Sequence, residues 1–269
     1  MKIGIISKAL ASDFEQAFSL ASKAQIDGLE LFYGLEDVQK LSDPGHAQWL
    51  KNISQQSNVE IFSLVPAFLT REPSMVDSAD ESRQAKAMLE KMITLAGESG
   101  TPSLLIPFFG NSAIELETEL SQAISMLDEL VEPAEAAGVT LAIESTLNFN
   151  QYKFLLNHFV HTNCIKAYYD TGNALARKLD LPSGIRELGL NAIGGIHFKD
   201  VKLAAPPDFN VDLGQGNVDF RAICQSLKAV SYEGPIVLET PSGDDPLANA
   251  RKNLEFARNI LGITAGSAR

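Results

Sequence analysis

The sequence predicts an α/β fold in which eight parallel strands alternate with helices and close into a single-domain (β/α)8 TIM barrel. The chain has 269 residues, close to the roughly 250 typical of such barrels. Short apolar or β-branched segments recur, and each is followed by a pattern with helical spacing. Most of these segments are apolar on both faces, as expected for parallel strands covered by helices on both sides.

The predicted strands and helices follow one another along the chain. We predict strands at 2–7, 28–32, 59–65, 103–107, 139–144, 165–170, 193–198 and 235–239. Between strands, apolar residues lie three and four positions apart at 13–24, 82–97, 115–137 and 247–261, which indicates amphipathic helices. Gly100, Gly138 and Gly234 precede the fourth, fifth and eighth strands, where we expect them to end helices. An open doubly wound sheet is the alternative fold, but no glycine-rich phosphate fingerprint follows the first strand.

Composition restricts domain organisation and partners. No linker rich in Gly, Pro or Ser divides the chain, so we expect one barrel over 1–262 and a short tail over 263–269. No apolar run approaches the length of a membrane span, and the N-terminus lacks the apolar centre of a secretory signal, so we predict a cytoplasmic protein. The net charge of −12 disfavours nucleic acid as a partner. Cys164 and Cys224 are expected to be reduced packing residues.

Polar residues close four consecutive predicted strands. In a barrel the carboxyl ends of the strands face the catalytic mouth, and the residues at these ends are Glu144, Asp170, His197 and Glu239. Three carboxylates in a partly desolvated mouth repel one another unless a cation is bound. Oxygen-rich ligation with one nitrogen suits one divalent ion, with Mn²⁺ favoured and Mg²⁺ or Co²⁺ as alternatives, better than a structural zinc. The competing interpretation is that these residues only cap loops.

Five motifs carry a resemblance to a known family: I-E-S at 143–145, Y-D-T-G-N-A at 169–174, I-H-F-K-D at 196–200, L-G-Q-G-N-V-D-F at 213–220 and L-E at 238–239. In this order and spacing they resemble the xylose-isomerase-like TIM-barrel superfamily, and within it the L-ribulose-5-phosphate 3-epimerase and D-tagatose 3-epimerase branches. The likeness covers nearly the whole chain and is specific in its second half. It implies that the four strand-end residues bind the metal and that Glu144 and Glu239 are also the catalytic acid and base.

The implied activity is that of a metal-dependent isomerase or epimerase of a sugar or sugar phosphate, with the ketose 3-epimerase type favoured. Such reactions remove a weakly acidic proton next to a carbonyl, and a metal bound to the substrate oxygens stabilises the resulting enediolate. Two carboxylates on opposite sides of the sugar can then exchange the roles of acid and base. The expected partner is a small-molecule sugar, in a protein that is a possible homo-oligomer.

Several further residues are candidates for substrate contact. The tagatose-type pattern has a histidine three residues after the aspartate of the sixth strand, and Asn173 stands there, either to contact a sugar hydroxyl or to cap a helix. Lys199 either faces the mouth or pairs with Asp200, and we favour the pair. Arg71 and Phe109 are expected on mouth-side loops, with Arg71 the candidate for a phosphate or carboxylate contact.

Some further residues and one long loop segment give weaker indications about the functional site. Glu30, in the second strand, could line the same pocket, and the long segment 203–212 could form a lid. His46 has no evident partner in the sequence, and His158 and His161 are expected on a solvated helix face without nearby carboxylates.

Two alternative activities use a similar barrel and metal, namely keto-inositol dehydratase and hydroxypyruvate isomerase. An abasic-site endonuclease is a remote alternative, because it needs a multi-zinc cluster that four histidines do not readily supply. A barrel that only binds a sugar is disfavoured by the presence of both strand-end glutamates.

Overall fold

The sheet is a closed barrel of eight strands. The structure is a computed structural model that describes residues 1–263, so all but the first residue of the predicted tail 263–269 lies outside it. Strands pair in parallel in chain order, and the first strand also pairs with the last. This confirms the predicted fold class. The strands are β1 Ile3–Ile6, β2 Gly28–Phe32, β3 Glu60–Val65, β4 Ser103–Phe108, β5 Thr140–Ser145, β6 Ile165–Asp170, β7 Ile193–Phe198 and β8 Ile236–Leu238.

Helices connect the strands, and many begin at a side chain that accepts a hydrogen bond from the first turn. The α-helices are α1 Phe14–Ala24, α2 His46–Ser57, α3 Ala79–Ser99, α4 Glu117–Ala137, α5 Phe149–His158, α6 Thr171–Ala176, α7 Leu181–Leu188, α8 Phe220–Ala229 and α9 Pro246–Leu261. Such caps satisfy backbone N–H groups that have no partner within the helix. Besides Asp170, which caps α6, the capping residues are Asp13, Ser78, Asn148, Asp180, Asp219 and Asp245.

Two of the three predicted glycine helix ends are confirmed. Gly100 and Gly138 follow α3 and α4 with φ of 75° and 67°, a backbone conformation that favours glycine. The prediction for Gly234 is wrong, because the positive φ after α8 lies at Ser231, with a value of 56°. Gly234 instead packs beside an aromatic ring, since a Cβ atom there would lie 2.5 Å from the hydroxyl oxygen of Tyr232.

Two compact units can be distinguished in the chain. The first, called the terminal unit, contains Met1–Glu30, Ser57–Glu60 and the described residues from Tyr169 onward. Three aromatic rings pack in sequence within it. The ring centroids of Phe198 and Phe220 are 5.1 Å apart, and those of Phe220 and Phe256 are 5.4 Å apart. These contacts fix the end of β7 against α8 and α9.

The second unit, called the central unit, contains Leu31–Gln56 and Ile61–Tyr168. Its core places side chains of successive strands against one another. The buried members are Val65, Leu105, Ala142 and Tyr168. The backbones of β4 and β5 pair along their whole length, so Pro107 lies opposite Glu144.

Two predictions from composition can be compared with the structure. Over residues 1–263, no helix is both long and apolar enough to cross a bilayer. Cys164 and Cys224 are buried free thiols, as predicted for packing residues. Burial raises the pKa of Cys224 to about 11, which keeps this thiol protonated at neutral pH.

Candidate metal centre

The terminal unit brings three of the predicted ligands to the ends of β6, β7 and β8. Asp170 is the last residue of β6, His197 lies in β7, and Glu239 directly follows β8. The backbone N–H of Glu239 donates to the carbonyl of Phe198 at 3.0 Å, which extends the pairing of β7 and β8 by one residue. The backbone ladder therefore fixes the positions from which these side chains project.

The side chains converge around one nitrogen of the imidazole. His197 Nδ1 lies 3.2 Å from Glu239 Oε2 and 3.7 Å from Asp170 Oδ2. The two oxygens of Asp170 have different environments. Oδ1 accepts the backbone N–H of Asn173 at 2.7 Å, whereas Oδ2 is buried and makes no hydrogen bond to any described residue. A buried carboxylate oxygen in that state is a candidate ligand for a cation.

Glu144 completes the group of candidate ligands. It lies in β5, opposite Tyr168 of β6, and its side chain is buried. One ligand atom from each of Glu144, Asp170, His197 and Glu239 lies within 4.8 Å of the others. Three carboxylates, one imidazole and a buried oxygen without a hydrogen bond fit a divalent cation.

Positive side chains lie next to this group. Lys199 Nζ is 3.1 Å from Glu239 Oε1 and 3.6 Å from Asp170 Oδ2, and Lys8 Nζ is 3.7 Å from Glu239 Oε1. Burial alone would raise the pKa of Glu239, but Lys199, the His197 ring and Lys8 outweigh it and hold that pKa well below its usual range. Glu239 is therefore ionised at neutral pH.

The start of α6 holds Lys199 in place. Thr171 Oγ1 donates to the carbonyl oxygen of Lys199 at 2.7 Å and accepts its backbone N–H at 2.9 Å. Gly172 leaves room for the side chain, because a Cβ atom there would lie 3.1 Å from Lys199 Cγ. The T-G pair of the sixth-strand motif therefore positions the lysine that neighbours the candidate ligands.

The predicted pair between Lys199 and Asp200 is wrong. The Asp200 carboxylate is buried and accepts backbone N–H groups of Gly214, Gly216 and Val218 at 2.9, 2.8 and 3.1 Å. These three donors belong to the L-G-Q-G-N-V-D-F motif. The Asp200 carboxylate therefore binds backbone amides of this loop and does not pair with Lys199, its neighbour in the sequence. Gly216 is required by this packing, because a Cβ atom there would lie 2.2 Å from Asp200 Oδ1.

The segment between these anchors projects outward. Residues 202–210 are exposed, and Lys202 and Asp208 exchange backbone hydrogen bonds of 2.9 and 3.0 Å. The Phe209 ring centroid lies 5.1 Å from Lys199 Nζ, within the range of a cation–π contact. Closure of 203–212 as a lid stays a prediction.

Glu30 has a different place from the one expected. It is fully buried, and its Oε1 atom lies 2.6 Å from His197 Nε2. It therefore contacts the imidazole on the side opposite to Asp170 and Glu239. The signal in the sequence was an acidic residue inside the apolar strand G-L-E-L-F at 28–32.

The other candidate substrate contacts are placed as follows. Asn173 lies in the first turn of α6, where its backbone N–H bonds Asp170. Arg71 is exposed after the 3-10 helix Ala67–Thr70. Phe109 precedes the 3-10 helix Gly110–Ser112. Their roles in substrate binding stay predictions.

Two expectations about the remaining histidines are wrong. His46 is buried, its Nε2 lies 2.9 Å from the Tyr33 hydroxyl, and its ring stacks on Trp49 at 5.5 Å. His158 does have a nearby carboxylate, since its Nε2 lies 2.8 Å from Asp128 Oδ2. The partners of His46 and His158 lie 13 and 30 residues away along the chain, so local spacing did not reveal them.

Two curated relatives match almost the whole chain. The 2-epi-5-epi-valiolone 7-phosphate 2-epimerase of Actinoplanes sp. is 28% identical over 266 residues, covering 96% of this chain and 93% of the relative. The L-ribulose-5-phosphate 3-epimerase UlaE of Escherichia coli is 26% identical over 277 residues, covering 95% and 93%. Both names are those of epimerases, so the enzyme class to which these comparisons point is the isomerases.

Solved structures agree on the fold. D-psicose 3-epimerase with D-tagatose, from Clostridium cellulolyticum H10, superposes with a TM-score of 0.79 at 17% identity, covering 97% of this chain and 99% of that one. The IOLI protein with a binding zinc atom gives 0.78 at 15% identity, covering 99% and 100%. The family described as xylose isomerase-like TIM barrel matches residues 18–260. The chain belongs to the xylose isomerase-like TIM barrel family.

Proposed function

We propose that this protein is a divalent-metal-dependent epimerase of a sugar or sugar phosphate, of the ketose 3-epimerase type. The observation that carries the proposal is the group formed by Glu144, Asp170, His197 and Glu239, whose ligand atoms lie within 4.8 Å of one another. Relatives that match over nearly the whole chain are named as epimerases of phosphorylated substrates, which supports the reaction class.

The four grouped side chains would hold one ion. A bound divalent ion supplies Lewis acidity that polarises a carbonyl and makes the neighbouring C–H proton more acidic. Oxygen ligands outnumber nitrogen in the group, which favours Mn²⁺, with Mg²⁺ or Co²⁺ as alternatives. The group contains one histidine among the described residues, which does not favour the multi-zinc centre of an abasic-site endonuclease.

Glu144 and Glu239 are the proposed acid and base. Asp170 is less suited to move a proton, because one of its oxygens caps α6. Glu30 lies at hydrogen-bond distance from His197 Nε2, and His197 Nδ1 lies near Glu239, so we assign the ring to metal binding rather than to proton transfer. Glu239 is ionised at neutral pH, which is the state in which a carboxylate can accept a proton.

Candidate residues for substrate contact are proposed from the chemistry of their side chains. Lys199 has an ammonium group next to the candidate ligands, so it is suited to bind a substrate oxygen. Asn173, Arg71 and Phe109 are further candidates, with Arg71 suited to a phosphate. The net charge of −12 supports a small molecule rather than nucleic acid as partner. We also propose a cytoplasmic location and assembly into homo-oligomers.

The proposal is tested with a panel of ketoses and ketose phosphates, incubated with metal-stripped protein to which Mn²⁺ is added back and analysed by sugar chromatography. We expect turnover that EDTA abolishes and Mn²⁺ restores. In D₂O, deuterium should appear on the carbon that changes configuration. Full activity after verified removal of metal would refute metal dependence.

Glutamine variants test the two bases. Glu144→Gln and Glu239→Gln keep side-chain volume and one possible oxygen ligand, and we expect turnover to fall by orders of magnitude in each. Glu233→Gln is the matched control, because Glu233 is exposed just before β8. If either active-site variant, with its metal content verified, turns over at the rate of the control, the acid–base assignment is wrong.

A further inference from the structure

We propose that Glu30 is a positioning residue that orients His197 for metal binding. The inference rests on the proposed metal-dependent function and assigns a role to a residue outside the group of candidate ligands. Glu30 Oε1 and His197 Nε2 lie 2.6 Å apart, and both side chains have 0% exposure. The two residues are 167 positions apart in the sequence, so the fold creates this contact.

The two imidazole nitrogens of His197 have different neighbours and different proposed roles. Nδ1 is the nitrogen near the other candidate ligands, at 3.2 Å from Glu239 and 3.7 Å from Asp170. A histidine that binds a metal must offer an unprotonated nitrogen, so the proton of the neutral ring has to be on Nε2. Glu30 lies at hydrogen-bond distance from Nε2 and accepts that proton in a hydrogen bond. The contact therefore selects the tautomer whose Nδ1 lone pair faces the ion.

The backbone around both residues is fixed. Glu30 lies in β2 opposite Ile6 of β1, and His197 lies in β7 opposite Val237 of β8. The neighbours of Glu30 in its strand, including Leu31, are buried and apolar. An acidic side chain is expensive to bury in such surroundings, and the hydrogen bond to the imidazole offsets part of that cost.

The bond would act on metal affinity in two ways. It holds the ring plane in the orientation that the ion needs, and the negative charge makes Nδ1 a stronger donor. Loss of such an outer partner typically lowers metal affinity about 10-fold to 100-fold. Glu30→Gln keeps a neutral acceptor of similar volume, so its affinity should lie between that of the parent and that of Glu30→Met, which has no oxygen acceptor.

The first experiment measures Mn²⁺ binding to metal-stripped protein by the electron paramagnetic resonance signal of free Mn²⁺. We expect about 10-fold weaker binding in Glu30→Gln and about 100-fold weaker binding in Glu30→Met. The matched control is Asp37→Asn, because the buried Asp37 carboxylate bonds Gly34 and Lys40 instead. Thermal melts of the metal-free variants separate loss of folding from loss of metal affinity, since a structural role alone would lower only the melting temperature.

The second experiment observes the ring directly in parent protein loaded with Zn²⁺, a diamagnetic ion. Nitrogen-15 spectra of the histidine rings are simple because the chain has 4 histidines, and His197→Gln identifies the relevant signal. We expect a proton on Nε2 and none on Nδ1, and this measurement does not require that any Glu30 variant folds. A proton on Nδ1 would overturn the inference.

The outcomes separate the two proposals. If the parent binds neither Mn²⁺ nor Zn²⁺, the metal-dependent function and this inference both fail. If the parent binds Mn²⁺ and the folded Glu30→Met variant binds it as tightly as Asp37→Asn does, the metal centre stands and the role of Glu30 is refuted.

Discussion

Replacing Lys199 by methionine removes an ammonium group 3.1 Å from Glu239 Oε1 and 3.6 Å from Asp170 Oδ2. In metal-free protein this leaves two carboxylates with less positive charge nearby. A bound divalent ion would supply such charge itself. We therefore expect Lys199→Met to destabilise the metal-free protein much more than the metal-loaded protein.

The distances from Lys199 Nζ to the two carboxylates determine the expected loss of stability in metal-free Lys199→Met. At an effective dielectric constant of about 20, each of the two contacts has a Coulomb energy of about 5 kcal/mol before desolvation is counted. Desolvation offsets much of this, and breaking a buried ion pair costs about 3–5 kcal/mol. Because the side chains of Lys199 and Glu239 are each 16% exposed, we expect the lower end, about 3 kcal/mol. For a chain of this length that loss lowers the melting temperature by about 6–12 °C.

With saturating Mn²⁺ we expect the loss to fall to about 1 kcal/mol, since the ion replaces most of the missing charge. The thermodynamic cycle then requires Mn²⁺ to bind Lys199→Met about 30-fold more tightly than the parent, because 1.4 kcal/mol corresponds to a factor of ten. Thermal melts with and without Mn²⁺ give the first quantity, and titration calorimetry gives the second.

Lys8→Met is the matched control. Its ammonium group approaches the same carboxylate, at 3.7 Å, but its side chain is 52% exposed. An ion pair with such exposure contributes about 0–1 kcal/mol, so the melting temperature should change little. Equal destabilisation of Lys199→Met with and without Mn²⁺, or weaker Mn²⁺ binding, would refute the reasoning.

Two further predictions concern other parts of the fold. Gly216→Ala places a methyl group 2.2 Å from Asp200 Oδ1, so thermal melts should show a loss of about 1–3 kcal/mol. The control is Gly45→Ala, where the nearest atom to a new Cβ, Asp43 Oδ1, lies 3.3 Å away, and an equally small change in both variants would contradict this packing. Burial and then Lys40 lower the pKa of His46, so the unfolded chain binds the proton more readily and stability is lost as pH falls below about 6.5. His46→Phe should reduce the drop in melting temperature between about pH 8 and about pH 5.5, and an unchanged drop would exclude His46 as its source.

The strand ends were accessible to sequence reasoning because they depend on local patterns. The segments 28–32, 165–170 and 193–198 are strands with the predicted bounds. A polar residue at the end of an apolar strand can be recognised in the sequence alone. Parallel pairing then brings successive strand ends to one edge of the sheet. This is why four candidate ligands could be named before their distances were known.

Contacts between distant segments were not accessible in the same way. The Asp200 carboxylate has a lysine beside it in sequence, yet it binds amides 14 to 18 positions further along the chain. The place of Glu30 against His197 depends on a side-chain direction across the fold. Ser231 adopts the left-handed conformation expected of Gly234 because the helix ends earlier than the glycine suggests. Each case depends on which groups are neighbours in space, and the spacing of apolar residues along the sequence does not give that information.

The backbone amides that donate to Asp200 also divide the connection after β7 into a fixed base and an exposed part. The loop returns to the same carboxylate on leaving residues 202–210, so the exposed part is bounded at its base by fixed backbone. Its length can therefore vary without moving the backbone of Lys199 or His197, whereas the Phe209 ring within it lies against the Lys199 ammonium group. We expect exchange of 202–210 for the corresponding segment of another family member to change which substrates are accepted while metal affinity is preserved. Such a modular insertion point would let one catalytic scaffold acquire new specificities through replacement of a single surface segment.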